Sequence, residues 1–253
     1  MNKFLILILV IQFNLYSQNR AMVPKHGAIA FRKYQIVTDS AEYIKSTKNL
    51  SQKIFEFEKK IIEKERKELS KDSVNQESPD LILPIENLYI ELNRDPSSNT
   101  YRFYNIFNNG EVLYLYSIND QFQGNPVEYE ISKTANSEEV NFQNDPFLNR
   151  IAIISIEEFK DQIKQINGYK CFKVNFIYRE IVDDNDFDYY LNDLTQRKEL
   201  WVTDEIKSPV HPVIHFPQIL EKYYPLEITE RIDEVKGFMT VYRLDKMDVQ
   251  FGN

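Results

Sequence analysis

Residues 154–180 read ISIEEFKDQIKQINGYKCFKVNFIYRE, and residues 197–206 read RKELWVTDEI. Asn167-Gly168 stands between two runs of strand-forming residues. An Asn-Gly pair in that setting is the strongest short hairpin signal, because a type I′ turn needs positive φ at both central positions. With these two residues as the loop, Ile166 faces Tyr169, Ile163 faces Phe172 and Phe159 faces Phe176. The apolar pairs Ile163–Phe172 and Phe159–Phe176 then share one face by the two-residue period. Lys160, Gln162 and Lys164 share the other with Asn175, Lys173 and Cys171. Turn chemistry and apolar pattern set the same register. A third strand is predicted over 199–205, around Trp201, the only tryptophan of the chain.

Working outward, Asn109-Gly110 marks a second hairpin. Here Phe107 faces Val112, Ile106 faces Leu113, Tyr104 faces Leu115 and Phe103 faces Tyr116. Both faces are apolar, which suits a strand pair in the middle of a sheet. One face is expected to meet a helix. The other is expected to meet an opposing sheet or to line a ligand-sized space. Phe103, Ile106, Phe107, Val112, Leu113 and Tyr116 are therefore the candidate ligand-binding residues.

Before that hairpin, residues 27–37 (GAIAFRKYQIV) read as a first strand. Asp39 with Glu42 three residues later makes a capping box, and a helix is predicted from there to about residue 71. Leu50, Ile54, Phe57 and Ile61 form its apolar stripe. Residues 70–84 are polar and carry prolines, so they read as a linker. Further strands are predicted over 87–94 and 127–132, and 133–146 reads as irregular. Pro209, Pro212 and Pro217 forbid a central strand or a regular helix. A long loop with one helical turn near 218–224 is expected there. Residues 225–232 and 238–251 read as a closing hairpin. The sum is an α+β fold, mostly antiparallel β: a curved sheet or half-barrel of roughly eight to ten strands with one long N-terminal helix.

The central stretch also carries a resemblance. Gly168, Tyr169, Lys170, Cys171 and Lys173, followed by Trp201, Thr203, Glu205 and Ile206, resemble the GLPGLI family of secreted proteins of Gram-negative bacteria. The naming signature is absent. Residues 215–228 read HFPQILEKYYPLEI in its place, where Pro217 or Pro225 stands for the signature proline. The resemblance covers the C-terminal half. It implies an architecture like the LolA-type half-barrels, the periplasmic lipoprotein carriers, and it brings no established activity with it.

The chain opens MNKFLILILVIQFNLYSQ. Lys3, a short apolar run and Ser17 read as a signal peptide over 1–17, leaving a single β-rich domain over 18–253. The apolar run is far shorter than the roughly 20 residues a spanning helix needs. The expected address is exported: periplasm, or outer membrane and cell surface. With a net charge of −8, nucleic acid is a poor partner. One cysteine permits no internal disulfide. With only 6 glycines, the chain has neither a phosphate-cradling loop nor a dinucleotide fingerprint.

Three constellations bear on chemistry. His211 and His215 have zinc-like spacing, but their prolines break the helix that such spacing needs. Asp184, Asp186 and Asp188 open like a calcium loop, but Tyr189 stands where glycine is required and Thr195 where glutamate is required. Cys171 reads as a buried structural cysteine. The expectation is therefore a non-catalytic protein with no metal or cofactor. It binds a lipid or other apolar ligand in a half-barrel cavity, or it serves as an envelope interaction module with a filled core. Export predicts cleavage near Gln18. N-terminal sequencing of the protein from the envelope fraction checks this, and an intact Met1 on a cytosolic protein would refute it.

Overall fold

The structure is a computed structural model that describes residues 22–69, 99–109, 111–120, 126–134, 151–181 and 194–252. The segment read as a signal peptide, the expected linker, the strand expected over 87–94 and the acidic stretch 183–188 lie outside the described residues. The elements run β1 (Val23–Val37), α1 (Ser40–Leu69), β2 (Asn99–Asn108), β3 (Glu111–Asp120), β4 (Pro126–Thr134), β5 (Ile151–Ile166), β6 (Tyr169–Glu180), β7 (Thr195–Thr203), α2 (Pro217–Leu220), β8 (Tyr224–Ile232) and β9 (Phe238–Gly252). The strands form one open antiparallel sheet in the order β4-β3-β2-β1-β9-β8-β7-β6-β5. β1 and β9 lie side by side in its middle, paired from Val23–Gly252 to Val37–Phe238. The mostly antiparallel α+β reading holds.

Both turns form as their residues demand. Asn167 and Gly168 have φ of 50° and 86°, and Asn109 has φ of 47°. Ile166 faces Tyr169 and Ile163 faces Phe172. Beyond that point the expected register of β5 is corrected. Phe159 stands opposite Lys173, and Ile156 takes the place opposite Phe176. Between Phe159 and Ile163, β5 carries Lys160, Asp161 and Gln162 as a bulge with no partners on β6. These three polar residues gain nothing from burial. Looping them out brings Ile156 onto the main core, and Phe159 moves to the opposite face beneath Lys173.

The helix start follows the capping expectation. Asp39 Oδ1 accepts from the amides of Ala41 and Glu42, both at 3.0 Å. The turn 233–237 locks against it. A Cβ on Gly237 would sit 2.2 Å from the carbonyl oxygen of Asp39, so only glycine permits that approach. The Lys236 amide donates to Ser46 Oγ at 3.0 Å. Among the described side chains, however, no residue of the helix stripe joins the cluster that holds Phe107 and Val112. Leu50 and Ile54 pack with Leu194, Ile232 and Val235 in a small cluster of their own.

What covers one face of the sheet is the proline-rich segment 204–223. Its Val210, Ile214, Phe216, Ile219 and Leu220 are buried together with strand residues such as Ile29, Phe31, Phe107, Val174, Leu200 and Ile228. We call this the inner face. Prolines suit the segment to that task, because each removes one backbone donor that would otherwise need a partner. The expected helical turn is α2, with Pro217 in its first turn.

His211 fastens the segment and is fully buried. Its Nδ1 accepts from the amides of Val213 and Ile214, both at 3.0 Å, and its Nε2 donates to the Pro225 carbonyl at 2.9 Å. Those partners fix the neutral tautomer with the proton on Nε2. The ring also sits 4.6 Å from Phe31 and 4.8 Å from Tyr224. Burial, first, and then the charge of His215 push its pKa down to about 3, against the raising effect of the Pro225 bond. The unfolded chain therefore takes up this proton as pH falls below about 6.5, and the folded chain does not until about pH 3. Stability is full above that window and declines through it, by about 1.4 kcal/mol per pH unit. Urea unfolding at pH 6.5 and 4.5 checks this. The wild-type loss between the two is expected to exceed that of His211→Gln by about 2–3 kcal/mol. Equal losses would refute the assignment.

Candidate functional site

The β2–β3 register places Phe107 opposite Val112, Ile106 opposite Leu113 and Phe103 opposite Tyr116, as the turn residues require. Alternation then divides the four candidates with described side chains between two faces. Phe107 and Val112 are buried in the main core, and half-buried Phe103 packs against it. Its ring lies 5.7 Å from that of Tyr242. Asn105, on the same face and fully buried, accepts from the His211 amide at 3.2 Å with its side-chain amide correctly oriented. This contact carries segment 204–223 across to β2. Ile106 belongs to the outer face, and the side chains of Leu113 and Tyr116 lie outside the described residues. Half-buried Tyr104 and Ile106 join neither buried cluster among the described residues.

The outer face of this region is ordered in rows. Ala28 stands beside Ile106, and Ala30 beside Tyr104. Leu113 and Leu115 continue these rows on β3, and Ile131 lies opposite Leu115 on β4. The next row is charged, with Arg32 directly opposite Arg102. Like charges so placed repel. Asp245, at a register shift of β9, answers both. Its Oδ1 lies 2.9 Å from Arg32 Nη2, and its Oδ2 lies 3.2 Å from Arg102 Nε. The three side chains are 30%, 29% and 28% exposed, so the cluster is reachable from solvent. Two guanidinium groups share one carboxylate. Arg32 Nε and Arg102 Nε make no hydrogen bond, the 3.2 Å contact being within ion-pair range but off a hydrogen-bonding line. Nothing in local sequence announces this cluster, because its members are 70 and 143 residues apart by number. Only the β2-β1-β9 pairing assembles it.

The inner face holds a second ionic group. Lys198 pairs with Glu230, and its ammonium lies 5.7 Å from the Tyr178 ring and 5.8 Å from the Phe216 ring. Burial acts to lower the lysine pKa, but Glu230 and Tyr178 outweigh it and the net shift is upward. The phenol of Tyr242 is raised by burial first and by Glu230 second. This is an ion pair held within the packed core edge, and it braces Phe216 of the covering segment. A cavity of about 240 Å³ lies between α1 and the turn 233–237, lined by Glu42, Ser46, Asn49, Lys53, Asp233 and Lys236 among others. Its lining is charged and hydrophilic, with Leu50 as its apolar member.

His211 has both ring nitrogens engaged within the fold, so they are committed to structure. Among the described residues, no group of three or more His, Cys, Asp or Glu side chains stands where it could hold a metal ion. Among the same residues, no helix is long and apolar enough to cross a membrane.

No family model matches the chain, and no curated protein sequence matches it. The resemblance to the GLPGLI family therefore rests on the residues that carry it. Among solved structures, the Mycobacterium tuberculosis lipoprotein LppX is similar at 7% identity and a TM-score of 0.30, covering 99% of this chain and 100% of that one. A likeness this loose carries no argument about ligand or location.

Cys171 is fully buried, and burial, first, then Glu205 push its thiol up to about 12. The thiolate is the reactive form. At pH 8 the native protein is expected to resist iodoacetamide, with labelling at least tenfold faster in urea. Equal rates would place the thiol at an accessible, reactive site.

Proposed function

We propose that this is a non-catalytic, exported envelope protein that binds an apolar or amphipathic ligand against strands β1–β3. One observation carries the reading. The inner face is filled by the chain's own segment 204–223, whereas half-buried Ala28, Tyr104 and Ile106 lie on the outer face of the same strands and join neither buried cluster among the described residues. Four residues along a strand cover about 14 Å at 3.4 Å each, enough for an acyl chain of moderate length. Burying about ten methylenes contributes roughly 8 kcal/mol before association costs, at about 0.8 kcal/mol per CH₂. Micromolar binding follows from what remains after those costs. The engaged His211 and the suppressed Cys171 thiolate support the non-catalytic part. The short charged-then-apolar leader supports export.

A second reading has an observation of its own. β5 ends the sheet, and Ile153, Ile154 and Ile163 on it are 39%, 52% and 51% exposed, with Ile181 nearby in sequence to its partner strand at 54%. Exposed isoleucines along an edge strand favour a polypeptide partner. The bulges at Ile154 and at residues 160–162 break the free ladder that such a partner would extend. That is why the ligand reading stands first.

The test uses the neutral apolar probe N-phenyl-1-naphthylamine with the mature protein. Saturable fluorescence enhancement is expected, weakened severalfold by Ile106→Asp at unchanged melting temperature. Absence of saturable enhancement would remove the ligand reading and leave the interaction module.

A further inference from the structure

The outer-face strip ends in charge, and the charge is unbalanced. Arg32 and Arg102 are neighbours across β1 and β2, and among the described residues Asp245 is the one carboxylate paired with either of them. They follow directly on the rows Ala28–Ile106 and Ala30–Tyr104. Arg243 stands beside Arg32 on β9, and its own carboxylate, Glu227, is 3.7 Å away and also holds Lys164 at 2.8 Å. So one end of an apolar strip carries a surplus of guanidinium groups on a chain whose net charge is −8. Guanidinium groups match planar two-oxygen anions by paired hydrogen bonds. A strip of this kind with a guanidinium pair at one end complements a molecule with an apolar tail and a carboxylate head.

We infer that the Arg32–Arg102 pair is the headgroup site for a long-chain carboxylate whose tail lies along Tyr104, Ile106 and Ala28. The inference rests on the ligand reading above and names the class of ligand. Asp245 is then the built-in competitor. It holds the two arginines together in the free protein and yields part of their hydrogen-bonding capacity to the incoming carboxylate. Substitutions at the arginine and at the aspartate must therefore move head selectivity in opposite directions. A merely structural ion cluster has no such signature.

The test is displacement of N-phenyl-1-naphthylamine from the mature protein by dodecanoate and by dodecanol, at pH 8 and low salt. The two competitors share a tail and differ in the head. Dodecanoate is expected to displace the probe at a concentration at least tenfold below that of dodecanol, with the gap closing at high salt. Arg102→Gln is expected to bring the two within about twofold. Asp245→Asn is expected to widen the gap. Melting temperatures of all variants are measured alongside, and Arg102→Lys replaces Arg102→Gln if the latter does not fold, with a partial loss of the gap expected. Equal displacement by both compounds in the wild type overturns the headgroup site while leaving the ligand reading intact. An unchanged gap in the arginine variant, or a narrowed one in Asp245→Asn, overturns it as well. Failure of the probe itself to bind overturns the ligand reading first. Binding to phosphatidylglycerol vesicles, with no displacement by monomeric dodecanoate, overturns the inference in favour of a bilayer surface as the occupant.

Discussion

One face of the sheet is apolar from β2 across to β6, and something must exclude water from it. Segment 204–223 does so, and it is held by one imidazole. His211 spends both nitrogens on backbone groups and lies between the Phe31 and Tyr224 rings. Through its own amide it also reaches Asn105 on β2. A buried polar group is costly unless satisfied, and here every hydrogen-bonding atom of the ring is satisfied. The fully buried residues Ile29, Phe31, Leu200, Ile206, Ile214, Ile219, Tyr224 and Ile228 all belong to the cluster that this arrangement completes.

The covering segment also explains the position of the helix. Because the inner face is already filled, α1 has no place on it. Leu50 and Ile54 find Leu194, Ile232 and Val235 at one end of the sheet, and the turn 233–237 clasps the first turns of the helix. Tyr43 stacks on Phe238 at 5.0 Å and ties that helix to the start of β9.

The outer face is organised by different physics. Here pairing between strands aligns ions in place of apolar layers: Lys173 with Glu199 at 2.7 Å, Lys164 with Glu227 at 2.8 Å, and Arg197 with Asp233. Exposed pairs of this kind contribute little each, about 0–1 kcal/mol, so they do not carry the fold. They hydrate the sheet surface and mark off the apolar strip of Ala28, Tyr104 and Ile106. Trp201, which dominates the sequence by its singularity, sits in this ionic field with the Lys164 ammonium 5.4 Å from its ring.

Short-range chemistry was legible in the residues themselves. Asn167-Gly168 and the Asn109 turn set two hairpins because few other residues accept positive φ, and the register of β2–β3 followed along its length. Asp39 marked the helix start because a carboxylate there has two amides to satisfy. The prolines of 209–217 excluded a strand and a long helix, and the chain obeys. The rest depended on partners remote in sequence. The bulge at residues 160–162 appears only when the inner face demands Ile156. That segment 204–223 covers the inner face, while Leu50 and Ile54 of α1 pack with Leu194, Ile232 and Val235, likewise depended on partners far off in the chain. Arg32, Arg102 and Asp245 became neighbours because β1 pairs with both β2 and β9. Local conformational preference is written residue by residue. The pairing of distant strands, and the sites it creates, belongs to the tertiary structure alone.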